Sequence, residues 1–422
     1  MYAFAGLCYE CLSGANCEVL FEMVRVLRRR IGAIAAYVLG GWFCFVVPSL
    51  AGQACTDLKR AVDAVPTGPV FLTSYPTVND GPLKGTAFLY DNAAAALALK
   101  GCGASDQARR IGDAILAGVE RDPFWRDGRL RNAYAAGAVD VGPVKTAGWW
   151  DNKQNKWVGD PYMSASDTGN LAWALLALLA LDRDAQDEAR QGGDKYDGRY
   201  LRGAERLADR LLSRRDGNGF SGGYLGFEPN PQRLSWKSVE HNTDIAAAFW
   251  QMAARTGIHK WRAAAEVAGD FVTSMWNHGG HRYDAGSDLG VHDRTAALDA
   301  QVWPMLALYS AHRVELSAFA YDDGYSYGMA RGVWTEGTAQ VAVLMASNRR
   351  WDSYRRLMTA LEKRHDERGF YRASDKALAT GFRLAADPSQ PRQFFPLPHL
   401  GATAWVAFAE QKYNPFRDEF LK

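Results

Sequence analysis

The residues best suited to chemistry form a polar cluster at 238–244, directly before the apolar run 245–250. Glu240 and Asp244 lie four positions apart, so on a helix they share one face. His241 and Asn242 lie between them and add a further titratable group and an amide. Two carboxyl groups on one surface can supply an acid and a base, so this segment is the leading candidate for a reactive centre.

The same construction, a polar head followed by an apolar run, recurs along the chain. The other apolar runs are 93–99, 171–181, 302–309, 339–346 and 404–409. Their heads carry Asp91 and Asn92, Asp167 and Asn170, Asp299, Trp334 and Glu336, and His399. A helix that is apolar all round is buried on all sides. Six such helices predict an inner ring whose polar heads surround a bowl.

Amphipathic segments between the apolar runs predict an outer ring of helices. These segments are 56–65, 106–121, 200–215, 261–276, 314–319 and 351–365. The stretch 122–167 is long and rich in Gly, Trp and Asn, and connections of this length are usually functional or disordered. Its aromatic content argues against disorder. We therefore predict an all-α fold, an (α/α)6 barrel with long loops rich in aromatic residues and glycine on one face.

Composition permits a large core and restricts the classes of partner. The chain has 422 residues, 48% of them apolar, which is enough for one large toroid. A net charge of +2 with interspersed signs gives no reason to expect nucleic-acid binding. The 14 tryptophans and 18 tyrosines suit surfaces that stack on sugars, although most such side chains pack between helices.

The N-terminal stretch has the organisation of an export signal. Arg25, Arg28, Arg29 and Arg30 precede an apolar run over 31–50 and then small residues. We predict a signal peptide over 23–54 that is cleaved, with an uncleaved membrane anchor as the alternative. Residues 1–22 precede a better start at Met23 and are interpreted as a mis-assigned start. The mature protein, 55–422, would be periplasmic or secreted, touching the membrane only through this export segment.

Cysteine usage fits that prediction. Cys8, Cys11, Cys17 and Cys44 precede the mature chain, which leaves only Cys55 and Cys102. Two cysteines in an exported protein predict one disulfide. Two widely spaced cysteines without a suitable histidine pattern do not make a metal site, so we expect neither a metal nor a cofactor.

In order along the chain, the polar heads resemble those of the six-hairpin glycosidase-like (α/α)6 toroids, especially a group of exported bacterial proteins. The segments that carry the resemblance are Tyr90-Asp91-Asn92, Thr168-Gly169-Asn170, Glu240-His241-Asn242, Leu298-Asp299, Trp334-Thr335-Glu336-Gly337-Thr338 and His399-Leu400-Gly401-Ala402-Thr403. It covers about 56–416 and implies a protein that acts on carbohydrate. The superfamily includes hydrolases, lyases, phosphorylases and epimerases, so the fold alone does not fix the reaction.

Hydrolysis of a glycosidic bond needs two carboxyl groups, one of them protonated to release the leaving oxygen. We predict Glu240, Glu336, Asp244 and Asp151 as candidates for these roles, and the resemblance implies an inverting mechanism. Which group is the acid and which the base stays open at this stage. An apolar wall beside Glu240 or Glu336 would raise the pKa of that carboxyl toward working pH, as a general acid requires.

The remaining polar heads and the tryptophans beside them are predicted to bind substrate. They are Asp91, Asn92, Trp149, Trp150, Asp167, Asn170, His241, Asn242, Asp299, Trp334 and His399. A structural explanation competes for each of them. Asp and Asn are preferred helix caps, histidines often serve only as hydrogen-bonding residues, and tryptophans often pack in cores.

Two other functions are compatible with the sequence. A polysaccharide lyase or sugar epimerase could use His241 or His399 with Tyr90 or Tyr224 to abstract a proton. An acidic substrate would need a positive subsite, for which the long loop offers Lys145, Lys153, Lys156, Arg129 and Arg131. A non-catalytic protein that binds carbohydrate or assembles polysaccharide would keep the aromatic residues and need no carboxyl pair.

Overall fold

A computed structural model describes residues 52–308, 312, 314–383, 387 and 389–422, apart from the Phe382 side chain. The predicted mis-assigned start and all but the last three residues of the predicted signal peptide lie outside the described residues. Gly52 precedes the first described helix, which begins at Gln53, and Ala54 is buried in that helix.

The described chain contains twelve α-helices. In order they are α1 (Gln53–Asp63), α2 (Leu89–Gly101), α3 (Ser105–Arg121), α4 (Pro161–Ser164), α5 (Thr168–Arg190), α6 (Arg199–Leu212), α7 (Val239–Thr256), α8 (His259–Ser274), α9 (Asp299–Ala307), α10 (Thr335–Ser347), α11 (Trp351–Glu362) and α12 (Leu400–Gln411). The chain is therefore mostly helical, as the sequence predicted, and is compatible with a helical toroid.

Six helices correspond to the apolar runs and form the core. They are α2, α5, α7, α9, α10 and α12, and most of their residues are buried all round the helix. Each contacts the next in chain order, and α12 packs against α2. The six helices are therefore buried by neighbouring core helices on both flanks together with an outer layer of helices.

The outer layer consists of amphipathic helices that bury one stripe each. Helices α3, α6, α8 and α11 pack on α2, α5, α7 and α10, whereas α1 packs on α12. In α6, for example, Leu207 and Leu211 are buried while Arg206 is exposed. The helical periodicity of these segments placed them to within a few residues, which confirms the predicted inner and outer pairs at five of six positions.

The prediction of an outer helix at 314–319 was wrong. Only a single 3-10 turn, Leu316–Phe319, forms there, and the inner helix before it ends at Ala307 instead of 309. Pro304 lies inside that inner helix and lacks the backbone N–H needed to continue the ladder. Residues 309–311 and 313 lie outside the described residues.

Short antiparallel strands occur throughout the connections of the described chain, which the prediction of an all-α fold did not include. Nine pairs are two-stranded: β1 (Val70–Phe71) with β4 (Gly137–Ala138), β2 (Thr86–Phe88) with β3 (Ala133–Ala135), β5 (Trp149–Asp151) with β6 (Lys156–Val158), β8 (Arg215–Asp216) with β9 (Gly219–Phe220), β13 (Trp276–Asn277) with β14 (Arg282–Tyr283), β17 (Ala320–Tyr321) with β18 (Gly324–Tyr325), β19 (Tyr371–Arg372) with β22 (Pro398–His399), β20 (Leu378–Arg383) with β21 (Pro391–Phe394), and β23 (Tyr413–Asn414) with β24 (Glu419–Phe420).

Two further sheets have three strands. Their orders are β11 (Gln232–Leu234), β10 (Gly223–Leu225), β7 (Ser166–Asp167), and β12 (Lys237–Ser238), β15 (Gly286–Asp288), β16 (Val291–Asp293). Strands this short carry no readable alternation of apolar and polar residues, which is why the sequence did not reveal them.

A disulfide joins Cys55 in α1 to Cys102 at the end of α2, with the two Cα atoms 5.8 Å apart. It therefore ties the first described helix to the first helix of the core. Within the described residues, no helix combines the length and the apolar composition needed to span a bilayer.

Candidate active site at the heads of the buried helices

Five core helices hold the preceding connection through one side chain near the helix head. These strut residues are Asn92, Asn242, Gln301, Thr338 and Thr403. Each accepts a backbone N–H from the connection at 2.7–3.0 Å. Each also donates to the carbonyl four residues earlier in its own chain. The struts fix the loops to the helix heads.

Asn92 and Asn242, which were predicted to bind substrate, are struts. The Asn242 amide accepts the N–H of Phe220 at 2.8 Å and donates to its carbonyl at 3.0 Å. Asn92 makes the same two hydrogen bonds to the backbone N–H and carbonyl of Leu72. Both amides are buried and engaged by backbone on both sides, so their function in the structure is to hold loops.

The strut residues serve as reference points along the helices. Side chains at the same sequence offset from a strut form one level. Two residues before each strut come Tyr90, Glu240, Asp299, Glu336 and Gly401. Two residues after it come Ala94, Asp244, Trp303, Gln340 and Trp405. A separation of four residues places the second set about 6 Å deeper along the helices. The upper level therefore carries three carboxyl groups and a phenol, and the lower level carries two tryptophans, one carboxyl group, one amide and one alanine.

Close backbone pairing at two loops helps to place the acidic heads. Gly223 in β10 pairs with Asp167, and Gly286 in β15 pairs with Ser238, the N-cap of α7. A Cβ at Gly223 would lie 2.2 Å from the Ser166 carbonyl oxygen, and one at Gly286 would lie 2.1 Å from that of Lys237. Glycine at both positions therefore allows the strands to approach the segments that lead to Asp167 and Glu240.

Glu336 is buried and anchored by Tyr90. The Tyr90 hydroxyl donates to Glu336 Oε1 at 2.5 Å and accepts the Trp405 indole N–H at 2.6 Å. Burial raises the pKa of Glu336 to about 7, although the Tyr90 hydrogen bond and the His399 charge lower it. This carboxyl can therefore change protonation state near neutral pH.

His399 pairs with Asp91 at the edge of the same group. Its Nε2 lies 3.2 Å from Asp91 Oδ2, and its Nδ1 accepts the backbone N–H of Ala402 at 3.2 Å. Burial alone would lower the pKa of His399, but the Asp91 carboxylate, with a contribution from Glu336, raises it above the usual value. The pair therefore places the His399 imidazole near enough to Glu336 for the two groups to influence each other's pKa.

Glu240 and Asp299 interact strongly with each other. Burial, followed by the Asp299 charge, raises the pKa of Glu240 well above its ordinary value, and burial raises that of Asp299 to about 7. Glu240 is only half-buried by exposed area, so it is the most accessible carboxyl of the upper level. The negative charge of Asp299 therefore makes ionisation of Glu240 more costly.

Asp244 lies one turn deeper on α7 and is almost completely buried. Neither of its carboxylate oxygens has a hydrogen-bond partner within the described chain. Burial, then the charges of Glu240 and Asp299, raise the pKa of Asp244 well above its ordinary value. These surroundings favour the protonated form of Asp244.

Asp167, Asn170 and His241 form the side of the site next to Glu240. Asn132 holds this side in place, because its Oδ1 accepts the N–H of Asp167 and the Asn170 amide, both at 2.8 Å. Burial raises the pKa of Asp167 to about 7 and lowers that of His241 to about 4. His241 is therefore a neutral imidazole, with its Nδ1 3.2 Å from the Thr168 hydroxyl.

An aromatic floor closes the lower level. It consists of Trp173, Trp303, Trp405 and Phe416, whose ring centroids lie 5.2–6.2 Å apart. Tyr90 meets Trp173 edge-on at 5.1 Å. This floor supplies the low-dielectric surroundings that keep the carboxyl groups protonated. Repeated aromatic residues two positions after a strut were a signal available in the sequence.

Trp334 is a packed residue at the head of α10. It is buried and stacks on Phe394 at 5.1 Å and edge-on against Tyr327 at 4.9 Å. In this position it supports the hairpin β20–β21 against the helix head.

Asp151, Trp149 and Trp150 belong to the hairpin β5–β6. The Asp151 carboxylate accepts the backbone N–H groups of Lys153 and Gln154 at 2.8 and 3.1 Å, and so stabilises the turn. Trp150 is exposed, and Trp149 is half-buried. No described hydrogen bond or ion pair joins Asp151 to the buried carboxyls, so we do not assign it to their site.

Most of the proposed positive loop residues have carboxylate partners. Arg131 is buried between Asp122 and Glu228, and Arg129 pairs with Asp127 at 2.6 Å. Lys145 lies 3.4 Å from Asp140. Lys153 and Lys156 are exposed on the β5–β6 hairpin.

Sequence reasoning missed Arg392 and Tyr162. Arg392, on β21, lies over the Tyr162 ring with 4.8 Å between the guanidinium carbon and the ring centroid. Its charge lowers the pKa of Asp167, Glu240, Asp299 and His241 against the larger effect of burial on the three carboxyls. A single arginine in an irregular segment gives no pattern from which to find it.

The described residues contain no group of three or more histidine, cysteine, aspartate or glutamate side chains placed to hold a metal ion. The chain matches no protein-family model and no curated protein sequence.

Solved structures with a similar fold are numerous. They include a family 76 glycoside hydrolase from a bovine Bacteroides thetaiotaomicron strain, with 13% identity, a TM-score of 0.56, and coverage of 86% of this chain and 78% of the other. A novel alpha-amylase from Clostridium perfringens matches with 10% identity, a TM-score of 0.56, and coverage of 86% and 97%. A sugar epimerase from a ruminal bacterium matches with 11% identity, a TM-score of 0.56, and coverage of 85% and 97%.

These similarities define the class of fold. The chain shares its fold with these solved structures, among them glycosidases, which is consistent with the resemblance inferred from the helix heads. At identities of 10–13% the likeness concerns the fold, and the reaction has to be inferred from the site itself.

Proposed function

We propose that this protein is an exported glycoside hydrolase that cleaves an oligo- or polysaccharide by an inverting, two-carboxylate mechanism. Its helices would form an (α/α)6 double ring with the site at the head end. The observation that carries the proposal is the convergence of Glu240, Asp299 and Glu336, at equivalent positions of three successive core helices. The similar folds, several of them glycosidases, are compatible with it.

Glu240 is assigned as the general acid. It is the most accessible of the three carboxyls, and burial together with the Asp299 charge raises its pKa, which favours the protonated form that a general acid needs. Protonation of the leaving glycosidic oxygen by such a group is the step that hydrolysis needs most. Asp244 is buried beneath Glu240. When Asp244 is protonated, it adds no negative charge to the surroundings of Glu240.

Glu336 is assigned as the general base that activates water. The Tyr90 hydrogen bond favours its ionised form, and positive charge on His399 acts in the same direction. As an ionised carboxylate, Glu336 can accept a proton from the attacking water while Glu240 donates one to the leaving group. This division of roles follows from the different partners of the two carboxyls.

The function is tested with a panel of polysaccharides assayed for new reducing ends and for unsaturated products. We expect reducing ends without new ultraviolet absorbance, and we expect an inverted anomer by proton NMR. Glu240→Gln and Glu336→Gln each lose at least 100-fold in kcat, a typical contribution of acid-base catalysis. Asp151→Asn is the control and retains activity. Unsaturated products, or wild-type rates in both glutamine variants, contradict the proposal.

A sugar epimerase is a second candidate, favoured by the two histidines. Burial lowers the pKa of His241 to about 4, whereas the Asp91 carboxylate raises that of His399, so the site offers two imidazoles of different basicity. Such a pair can remove and return a proton at carbon. Isomerised sugar without chain cleavage, and loss of that reaction in both His241→Gln and His399→Gln, would identify this activity.

A further inference from the structure

Arg392 lies on a hairpin that is fastened to the head of a core helix. Strands β20 and β21 pair from Leu378↔Phe394 to Arg383↔Pro391. Phe394 stacks on Trp334, the residue that precedes α10, and the Thr380 hydroxyl donates to the Arg392 carbonyl at 3.1 Å. These contacts hold the backbone of Arg392 beside the segment that carries Glu336.

The guanidinium of Arg392 is fixed by an aromatic ring instead of a carboxylate. It lies over Tyr162 and donates a long hydrogen bond of 3.4 Å to the Tyr162 hydroxyl. Tyr162 is itself placed by the Asp160 cap of α4, which accepts its backbone N–H at 2.8 Å. Stacking of this kind leaves the edge of the guanidinium, with its N–H donors, free to bind another group.

No carboxylate within the described residues forms an ion pair with Arg392, although the side chain is exposed and acidic groups lie nearby. The Asp167, Glu240 and Asp299 carboxyls are close enough to sense its charge. By contrast, Arg129 and Arg131 each contact a carboxylate at 2.6–2.7 Å. Arg392 therefore has its charge available for a ligand.

We propose that Arg392 binds the carboxylate of an acidic sugar, so that the substrate is a uronate-containing oligo- or polysaccharide. This inference rests on the proposed function. The planar guanidinium matches a carboxylate with two parallel N–H···O bonds, which a lysine does not reproduce. Burial raises the pKa of Glu240 and Asp244, which reduces the repulsion between these carboxyls and an anionic sugar.

The test compares acidic oligosaccharides with neutral derivatives of the same chains. Oligogalacturonate and oligoalginate, and their methyl esters, are titrated calorimetrically into the Glu336→Gln protein. We expect at least one acidic probe to bind tenfold or more tightly than its ester. Arg392→Gln removes that difference, and Arg392→Lys restores only part of it. Arg383→Gln, on the same hairpin, retains the full difference.

Several outcomes would overturn the inference. Equal affinity for the acid and its ester in every probe overturns it, and so does an equal loss of affinity in Arg392→Gln and Arg383→Gln. Circular dichroism of each variant excludes misfolding as the cause of a loss. Cleavage of neutral glycans that is indifferent to Arg392→Gln overturns the inference and leaves the hydrolase proposal standing. Selective binding of acidic chains that the wild-type protein never cleaves leaves the inference standing and overturns the hydrolase proposal.

Discussion

The Tyr90 hydroxyl donates a 2.5 Å hydrogen bond to Glu336, which lies 246 residues away in the chain. The same hydroxyl accepts the indole N–H of Trp405, so one phenol joins three core helices at their heads. Since the hydrogen bond favours the ionised carboxyl, Tyr90 sets the pH at which Glu336 can act as a base.

Replacement of Tyr90 by Phe should move the pH profile of activity. The pKa of Glu336 is about 7, and loss of the Tyr90 hydrogen bond raises it further. A base must be deprotonated, so the acidic limb of kcat/KM shifts to higher pH. Profiles of the wild type and Tyr90→Phe on one glycan measure the shift. Tyr224→Phe serves as the control, and a shift to lower pH contradicts the assignment.

Stability should fall as pH rises from about 4 to about 8. The pKa values of Asp167, Asp299 and Glu336 rise to about 7 in the folded protein, mainly because of burial, so the folded state binds more protons in this window. Their stabilisation is complete below the unfolded pKa and is lost as pH passes the folded pKa. For Glu336, a rise from 4.5 to about 7 corresponds to about 3 kcal/mol.

Asp244→Asn tests the source of this dependence. Asp244 has no hydrogen-bond partner to lose among the described residues, and its folded pKa lies well above 3.8. The variant should therefore match wild type near pH 4 and exceed its unfolding free energy at pH 8, as measured by urea denaturation. Asp216→Asn, on an exposed hairpin, is the control. A variant that is less stable at pH 8 would show that ionised Asp244 is stabilising.

Asn242→Ala should reduce stability without changing substrate binding. It leaves the buried N–H and carbonyl of Phe220 unpaired, which costs about 3 kcal/mol in unfolding free energy. Urea denaturation measures the loss, and Asn218→Ala in the exposed β8–β9 turn is the control. A large rise in KM at unchanged stability would indicate that Asn242 binds substrate.

Removal of the disulfide should destabilise the protein. Cys55 and Cys102 are 47 residues apart, and a loop of that length corresponds to about 4 kcal/mol by chain entropy. The double variant Cys55→Ser and Cys102→Ser should unfold at lower urea concentration than wild type under oxidising conditions. The same two proteins should behave alike after reduction, and a persistent difference would assign the effect to packing.

The sequence predicted the core helices well because burial on all sides leaves an uninterrupted apolar run. It also identified the heads that carry Glu240 and Glu336. It could not separate Asp91 from Asn92, adjacent polar residues of which one meets His399 and the other holds Leu72. That distinction depends on a loop twenty residues earlier.

Arg392 and the Tyr90–Glu336 bond were beyond sequence reasoning for a different reason. Each depends on contacts between distant segments: Tyr162 with Arg392, and α2 with α10. Neither segment shows a periodicity that reports its partner. The short strands around them could not be predicted either, because two or three residues do not establish an alternation of apolar and polar residues.

The packing of α12 against both α1 and α2 has a consequence for biosynthesis. A ribosome releases Leu89–Gly101 well before Leu400–Gln411, which follows it by about 300 residues. Until Leu400–Gln411 is made, the surface of α2 that packs against α12 has no cover and exposes apolar residues. Docking of α12 is therefore a late step in folding, and we expect chains truncated before Leu400 to aggregate more readily.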